Sequence, residues 1–412
     1  MNFKIFNLHN HSRFYLNKFI SRLFEKMVFK QLAKISNGCI QVYYCQNLYH
    51  FGNTQDSVVA SLQINDEKFF KLLVFKGHLG FAEAYAKQYC STSELTEILS
   101  IFARNLFVVD KAETRYAWVF NKGLHFFDKI LAKNTLRGSK QNISAHYDLG
   151  NDLFETFLDD NLQYSSALYA VDGISLEKAQ ILKMQTIVKR LNLSCDDHLL
   201  EIGTGWGGLA IFIAKNIGCK ITTITISKEQ FEYAKNQIIK EDLMHLISIK
   251  LCDYRELTGN FDKIVSIEMI EAVGEQYYQK YFDICAKLLK TNGLFLMQAI
   301  LIADHKYIKA KNSVDFIKYY IFPGSNIPCL NGLNECANIA NMRLDGYFDM
   351  TGDYVKTLKE WQTRFNINSS KLAAIGYDQY FQNIWNFYFS YCQAGFIVEH
   401  IRDAHLIFKK LC

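Results

Sequence analysis

The apolar run His198-Leu199-Leu200-Glu201-Ile202 stops in Gly203-Thr204-Gly205-Trp206-Gly207-Gly208, and helical spacing resumes at Leu209. A strand that empties through a glycine-rich turn into a helix restricts the fold more than any other stretch of this chain. Gly203 and Gly205 let the main chain turn tightly and approach a ligand with no side chain between them. A Walker-type phosphate loop would need a lysine and a serine or threonine after the last glycine, but Gly208 is followed by Leu209 and Ala210. A pyrophosphate site of the dinucleotide kind would want an acidic residue where the next strand ends, and that strand ends Thr225-Ile226-Ser227. A ligand that meets the turn through an amino acid and a nucleoside, without phosphate, fits better.

Around this turn, apolar runs at 198–202, 220–226, 247–252, 263–267 and 293–299 alternate with helical patterns. Alternation of that kind predicts an α/β unit, a mainly parallel sheet with helices on both faces. Upstream, 40–44, 58–64 and 69–75 read as strands between turn signals, followed by helices from Phe81 to about Phe126. These make a small α+β N-terminal domain over 1–132. The polar segment 133–142, with Arg137, Gly138 and Ser139, reads as a linker, and 143–412 as the larger domain. A chain of 412 residues is sized for two such domains. Pro323 and Pro328, its only prolines, fall in one short stretch and place a rigid turn there.

Half of the residues are hydrophobic, the balance of a folded protein, and a net charge of +5 is too small to argue for nucleic acid. Eleven cysteines are scattered, without Cys-x-x-Cys pairs or metal-type spacing to histidine, and read as reduced core thiols of a cytoplasmic protein. No stretch reaches the roughly 18 to 20 apolar residues that cross a bilayer. No secretory signal is evident either. Between Arg13 and Lys30, however, Lys18, Arg22, Lys26 and Lys30 recur every fourth position among Phe14, Phe19, Ile20, Leu23 and Phe24. Such a basic amphipathic helix can lie on an anionic lipid surface, or be a packed helix with a solvated basic edge.

Seven blocks in order carry a family likeness: Ala145-His146-Tyr147-Asp148-Leu149-Gly150, Gln163-Tyr164-Ser165, the Gly203 turn, Thr225-Ile226-Ser227-Lys228-Glu229-Gln230, Asp253-Tyr254-Arg255, Glu271-Ala272-Val273-Gly274 and Tyr320-Ile321-Phe322-Pro323-Gly324. In these the chain resembles the cyclopropane fatty acid synthases and their mycolic acid relatives, which are class I methyltransferases of Rossmann-like fold that use S-adenosylmethionine. The resemblance implies that Tyr164 and Ser165 close over the methionine part of the cofactor, with Gly203 and Gly205 beneath it. It implies Thr225 and Gln230 at the ribose, and Asp253 and Tyr254 at the adenine. Each alone has a plainer reading: Tyr164 as core, Gln230 as a helix-surface residue, Asp253 as a cap. His146 and Cys392 are read as packing residues without catalytic roles.

The chemistry implied is methyl transfer to the cis double bond of an unsaturated phospholipid acyl chain, then proton loss from the added methyl and ring closure. A poor nucleophile needs positioning in a dry pocket, and the cation that forms wants aromatic faces nearby. In the family the proton acceptor is thought to be a bicarbonate ion, held by a glutamate, a histidine, a tyrosine and backbone groups beside a cysteine. Glu271 falls at the glutamate position and Tyr354 at the tyrosine position. Ser166 stands for the cysteine and Gln298 for the histidine, with Ile300 kept two residues on. Serine and glutamine can still hydrogen-bond an anion, but a titratable partner is gone. Glu268 adds a second carboxylate to the same loop, so Glu268 or Glu271 is a candidate to accept the proton itself, with bicarbonate weakened or absent. Otherwise Glu268 is a helix-start residue favoured by the dipole.

The expectations are therefore an enzyme acting on membrane phospholipids, cytoplasmic and peripheral at the inner face of the membrane, with homodimer formation also implied by the resemblance. The substituted positions keep two alternatives open. One is a methyl- or methylene-branching lipid methyltransferase, the other an inactive lipid-binding relative.

Overall fold

The computed structural model describes residues 19–105 and 150–412. The expected linker, His146 and the first residues of the basic helix lie outside the described residues. The chain divides into two units, one of 1–126 with Ile375–Val398, the other of 127–374 with Glu399–Cys412.

In the first unit, strands β1 (Cys39–Tyr44), β2 (Asn47–Gly52), β3 (Val59–Ile64) and β4 (Cys90–Ser91) form a sheet in the order β2-β1-β3-β4. The β1–β2 hairpin closes over Cys45 and Gln46, both with positive φ. Helix α1 covers residues 19–32, α2 is Lys68–Ala86 and α3 Leu95–Arg104. The strand expected at 69–75 is thus the start of α2. That run is apolar except for Lys71, does not alternate, and holds a single β-branched residue, Val74, so its period does not declare itself. Lys76-Gly77, one of the turn signals that bound these runs, is a kink inside the helix, where φ of Gly77 is +55° and ψ −129°.

The second unit holds a seven-stranded sheet in the order β10-β11-β9-β8-β5-β6-β7. Its strands are β5 (His198–Ile202), β6 (Lys220–Thr225), β7 (Ile247–Leu251), β8 (Phe261–Ile267), β9 (Leu289–Ile302), β10 (Met342–Asp349) and β11 (Ile401–Lys410). The five strands β9, β8, β5, β6 and β7 run parallel, while β11 and β10 add antiparallel at one edge. Neighbouring residues of one strand serve opposite faces, as the two-residue period requires. Leu199 packs with Met184, Ile187, Leu209 and Ile213 from helices α4 (Leu176–Leu191) and α5 (Gly208–Ile217). Leu200 packs on the other side with Tyr281, Phe282, Cys285 and Leu333 from α7 (Tyr278–Leu288) and α8 (Leu330–Ile339). Helix α6 (Lys228–Lys240) follows β6, and α9 (Thr351–Ile367) follows β10.

Helix α10 (Gln379–Ile397) groups with the first unit although its sequence falls within 143–412. Phe387 lies 5.8 Å from Phe81 and 6.0 Å from Tyr85, ring centre to ring centre. Buried Trp385, Phe387, Tyr388 and Phe389 are spread around its circumference, the mark of a helix enclosed by other elements.

Candidate active site

Sheet register assembles the site. Ile267, the last residue of β8, pairs with Gln298 of β9, and Gln298 pairs with His405 of β11. Asp403, two residues before His405 and on the same face, pairs with Ile300. Just past β8 the chain turns at Glu268, whose φ is +47° and whose N–H donates to the Gln298 carbonyl at 2.9 Å. A non-glycine residue in this left-handed region costs about 1 kcal/mol or more, and such strain gathers at functional positions.

Three donors meet on the Glu268 carboxylate. Oε1 accepts from the Ser166 N–H at 2.9 Å and from Gln298 Nε2 at 2.8 Å, and Oε2 accepts from Tyr354 Oη at 2.6 Å. Ser166 is held in place by its neighbours: the Ala167 N–H donates to Thr357 Oγ1 and the Tyr169 N–H to Asp353 Oδ1, both at 3.0 Å. These bonds stitch 166–169 to α9, which also carries Tyr354. Behind Gln298, Arg190 donates from Nη1 to His405 Nδ1 at 2.6 Å. Arginine can only donate, so His405 carries its proton on Nε2 and donates to Gln298 Oε1 at 3.2 Å. The amide is thereby turned so that Nε2 serves both Glu268 and, at 2.9 Å, Asp403 Oδ2.

Glu271 stands in the short turn Ile270–Ala272, its Oε1 accepting the Ile300 N–H at 2.7 Å. Its Oε2 is buried with no hydrogen-bond partner among the described residues. Burial first, and then the charge of Glu268, push Glu271 up to about 8. Burial raises Glu268 too, but its three donors and the Lys183 charge pull the other way. Asp403 is raised well above the usual carboxylate range by burial and by Glu268. Lys183 is fully buried, donates to Ser165 Oγ at 2.6 Å and is lowered by burial to about 8, against the pull of Glu268, Asp159 and Asp403. All three carboxylates are therefore raised by burial, Glu268 to about 7, and Glu268 is the one that three hydrogen-bond donors and the Lys183 charge favour in the ionised form. Both glutamates lie deep in the unit yet keep some exposed area, as residues lining a cleft do.

On the cofactor side, Gly203 (φ +99°) and Gly205 (φ +54°) form the turn, and a Cβ at Gly205 would meet nothing within 4 Å among the described residues. No described side chain covers the turn at Gly205. Glu201 is missing from the sequence reading, yet it anchors the turn: Thr223 donates its hydroxyl to Glu201, and Thr223 Oγ1 lies 2.7 Å from Thr204 Oγ1. At the end of β6, Thr225 Oγ1 donates to Gln230 Oε1 at 3.0 Å, and Ser227 caps α6 by accepting the Gln230 N–H. With Oε1 so occupied, the Gln230 amide keeps Nε2 as a donor for a ligand hydroxyl. Asp253 follows β7 as the cap of the turn Tyr254–Glu256, and Arg255 grips it through Nε at 2.8 Å and Nη2 at 2.7 Å. Its carboxylate is thus already engaged, while Tyr254 packs edge-on against Tyr281 at 5.1 Å.

Aromatic rings cluster at Tyr164, which keeps some exposed area, with Phe154 and Trp361 fully buried. Tyr164 lies 5.2 Å from Phe154 and 5.4 Å from Trp361, Phe154 4.8 Å from Trp206, and Tyr354 6.2 Å from Trp361. The structure thus brings Ser166, Glu268, Glu271, Gln298, Ile300 and Tyr354 into one cluster. Lys183, Arg190, Asp403 and His405 are further members that the sequence reading lacks. Their signal was an alternation of polar Asp403 and His405 within the apolar run of β11.

S-adenosylmethionine fits the glycine turn with its phosphate-free surroundings. Bicarbonate does not fit the nest beside it. The Ser166 N–H, Gln298 Nε2 and Tyr354 Oη are all spent on Glu268, and the Ile300 N–H on Glu271. An added anion would have to displace one carboxylate and stand against the other.

A parallel sheet flanked by helices, extended by two antiparallel strands and opening through a glycine turn without phosphate ligands, defines a class I S-adenosylmethionine-dependent methyltransferase. The chain belongs to the mycolic acid cyclopropane synthetase family, whose profile matches residues 134–406. It is 31% identical to the cyclopropane-fatty-acyl-phospholipid synthase of Escherichia coli strain K12, across 86% of this chain and 89% of that one. It is 32% identical to the tuberculostearic acid methyltransferase UfaA1 of Mycobacterium tuberculosis, across 78% of this chain and 76% of that one. Among solved structures, the cyclopropane synthase MmaA2 from Mycobacterium tuberculosis superposes with a TM-score of 0.62 at 25% identity, covering 66% of this chain and 98% of its own.

Proposed function

We propose that this enzyme adds a methylene bridge across the cis double bond of an unsaturated phospholipid acyl chain, giving a cyclopropane acyl chain. The observation that carries the reading is the extent of the match. Likeness to the Escherichia coli phospholipid synthase spans 86% of this chain and so takes in the N-terminal unit, whereas MmaA2 covers 66%. S-adenosylmethionine supplies an electrophilic methyl group. Gly203 and Gly205 pass beneath its methionine part with Tyr164 and Ser165 above, Thr225 and Gln230 take the ribose, and Tyr254 with Asp253 flanks the adenine. Tyr164, held by the fully buried rings of Phe154 and Trp361, excludes water and offers a ring face to a developing cation.

The enzyme works from the cytoplasm at the inner face of the membrane, as a peripheral protein and a homodimer. In support, no helix among the described residues is long and apolar enough to cross a bilayer. On α1, moreover, Phe19 is 68% and Leu23 48% exposed beside exposed Arg22, Lys26 and Lys30. Sedimentation with anionic liposomes and light scattering after size exclusion check these two points.

The altered proton-acceptor nest and the likeness to a tuberculostearic acid methyltransferase favour one second reading, a methyl- or methylene-branched product. Mass spectrometry of lipids from cells expressing the protein, fed methyl-deuterated methionine, separates the outcomes. A ring keeps two of the three methyl deuterons without a double bond, a methylene branch keeps two with a double bond to the added carbon, and a methyl branch formed by loss of a chain proton keeps all three with a double bond left in the chain. Unlabelled lipids would refute both readings.

A further inference from the structure

We propose that Glu268 is the proton acceptor of this enzyme, a carboxylate built into the chain that fills the place of an exogenous anion. The inference rests on the acyl-lipid reading above and gives that reaction its base.

Geometry supports Glu268 over its neighbours. Its carboxylate takes all three donors of the nest, from the 166–169 segment, from β9 and from α9. Its backbone is held at φ +47°, a strain that this crossing of hydrogen bonds maintains. Among the described residues Glu271 has one hydrogen-bond donor, the Ile300 N–H, and a buried oxygen without a partner, the surroundings of a carboxyl that keeps its proton. The Asp403 carboxylate accepts only from Gln298 Nε2, which it shares with Glu268, and its Oδ1 is buried without a partner among the described residues. Lys183, on α4, supplies the positive charge opposite the cluster, and Arg190 and neutral His405 stand behind Gln298.

The step balances within the site. As the alkene π pair forms a bond to the incoming methyl carbon and the carbon–sulfur bond breaks, the other alkene carbon becomes electron-deficient. Glu268 takes a proton from the new methyl group, and the electrons of that C–H bond close the second ring bond. Tyr354 can both donate and accept, so its hydroxyl reverses and accepts from the newly protonated carboxyl, which returns its proton to water on product release. Tyr354, Gln298 and the Ser166 N–H are positioning groups in this scheme.

Three measurements decide it. Wild-type enzyme in carbon-dioxide-free buffer is expected to keep full turnover on unsaturated phospholipid vesicles. Glu268→Gln is expected to lose at least about 100-fold in kcat, the low end for a general base. Glu268→Gly relieves the positive φ but leaves three donors without their acceptor, so it should melt below wild type yet stay folded at room temperature, while opening the nest. Carbon-13 bicarbonate, titrated by NMR, should then bind saturably to Glu268→Gly and not to wild type, and should restore part of the variant's activity. Saturable bicarbonate binding by wild type, bicarbonate-dependent wild-type turnover, or an active Glu268→Gln would each overturn the proposal. If no phospholipid is methylated in any buffer, the substrate reading fails, and the NMR titration still decides the role of the nest.

Discussion

Tyr354 Oη donates to Glu268 Oε2 across 2.6 Å, tying α9 to the strained turn at the end of β8. A hydrogen bond to a charged group is worth about 1.5–3 kcal/mol, and here it favours the ionised carboxylate. Burial pushes Glu268 above the ordinary glutamate value of 4.5, and a base must be ionised to act, so activity falls as pH drops through the raised value. Tyr354→Phe removes one brake on that rise. The acid limb of the kcat profile should move up by about one pH unit. A limb that stays put while kcat falls would show that Tyr354 serves packing alone.

Gln298 can face Glu268 with its amide nitrogen only because His405 supplies a donor to its oxygen. His405→Leu removes that donor and leaves the Arg190 guanidinium facing an apolar group. kcat should drop about tenfold with the KM for S-adenosylmethionine unchanged, since Thr225, Gln230 and the glycine turn are untouched. His405→Gln, which can accept from Arg190 and donate to Gln298, should recover most of the loss. Parallel changes in KM and kcat would instead point to a general disturbance of the sheet edge.

The parallel core was legible because β5, β6, β7 and β8 are short apolar runs punctuated by glycine, serine and aspartate. Strands β10 and β11 were not. Met342–Asp349 alternates Arg343, Asp345 and aromatic residues without a clean apolar face, and Ile401–Lys410 carries Asp403 and His405 at what proved to be buried positions. Glu268 showed the same limit at the site. Its proximity to Glu271 in sequence suggested a paired carboxylate, but its place in the donor nest depends on Ser166, 102 residues earlier, and Tyr354, 86 residues later. Such convergence follows from strand register and from the stitching of 166–169 to α9, which no local pattern encodes.

Gly205 separates cofactor binding from folding. Its φ is +54° and a Cβ there would touch nothing within 4 Å among the described residues, so Gly205→Val costs roughly the 1–2 kcal/mol of a side chain in the left-handed region. The isopropyl group would stand above the turn. Calorimetry should show S-adenosylhomocysteine binding weakened at least about tenfold while the variant stays folded at room temperature. Unchanged affinity would place the cofactor elsewhere.

Stability should decline on the alkaline side, and two buried glutamates explain why. Burial raises both Glu201 and Glu271 from 4.5 to about 8. The folded chain therefore holds these protons more tightly than the unfolded chain does. Their contribution is fully present below about 4.5, shrinks as pH rises, and is gone once pH has passed about 8. Within that window each proton contributes at most about 1.4 kcal/mol per pH unit. Glu201→Gln removes one of the two while keeping an oxygen for the Thr223 hydroxyl. Urea unfolding at a series of pH values should show wild type weaker at pH ~9 than at pH ~6, and the variant losing less over the same interval. Equal slopes would mean that Glu201 ionises inside the fold at no cost, against its burial and its single hydroxyl partner.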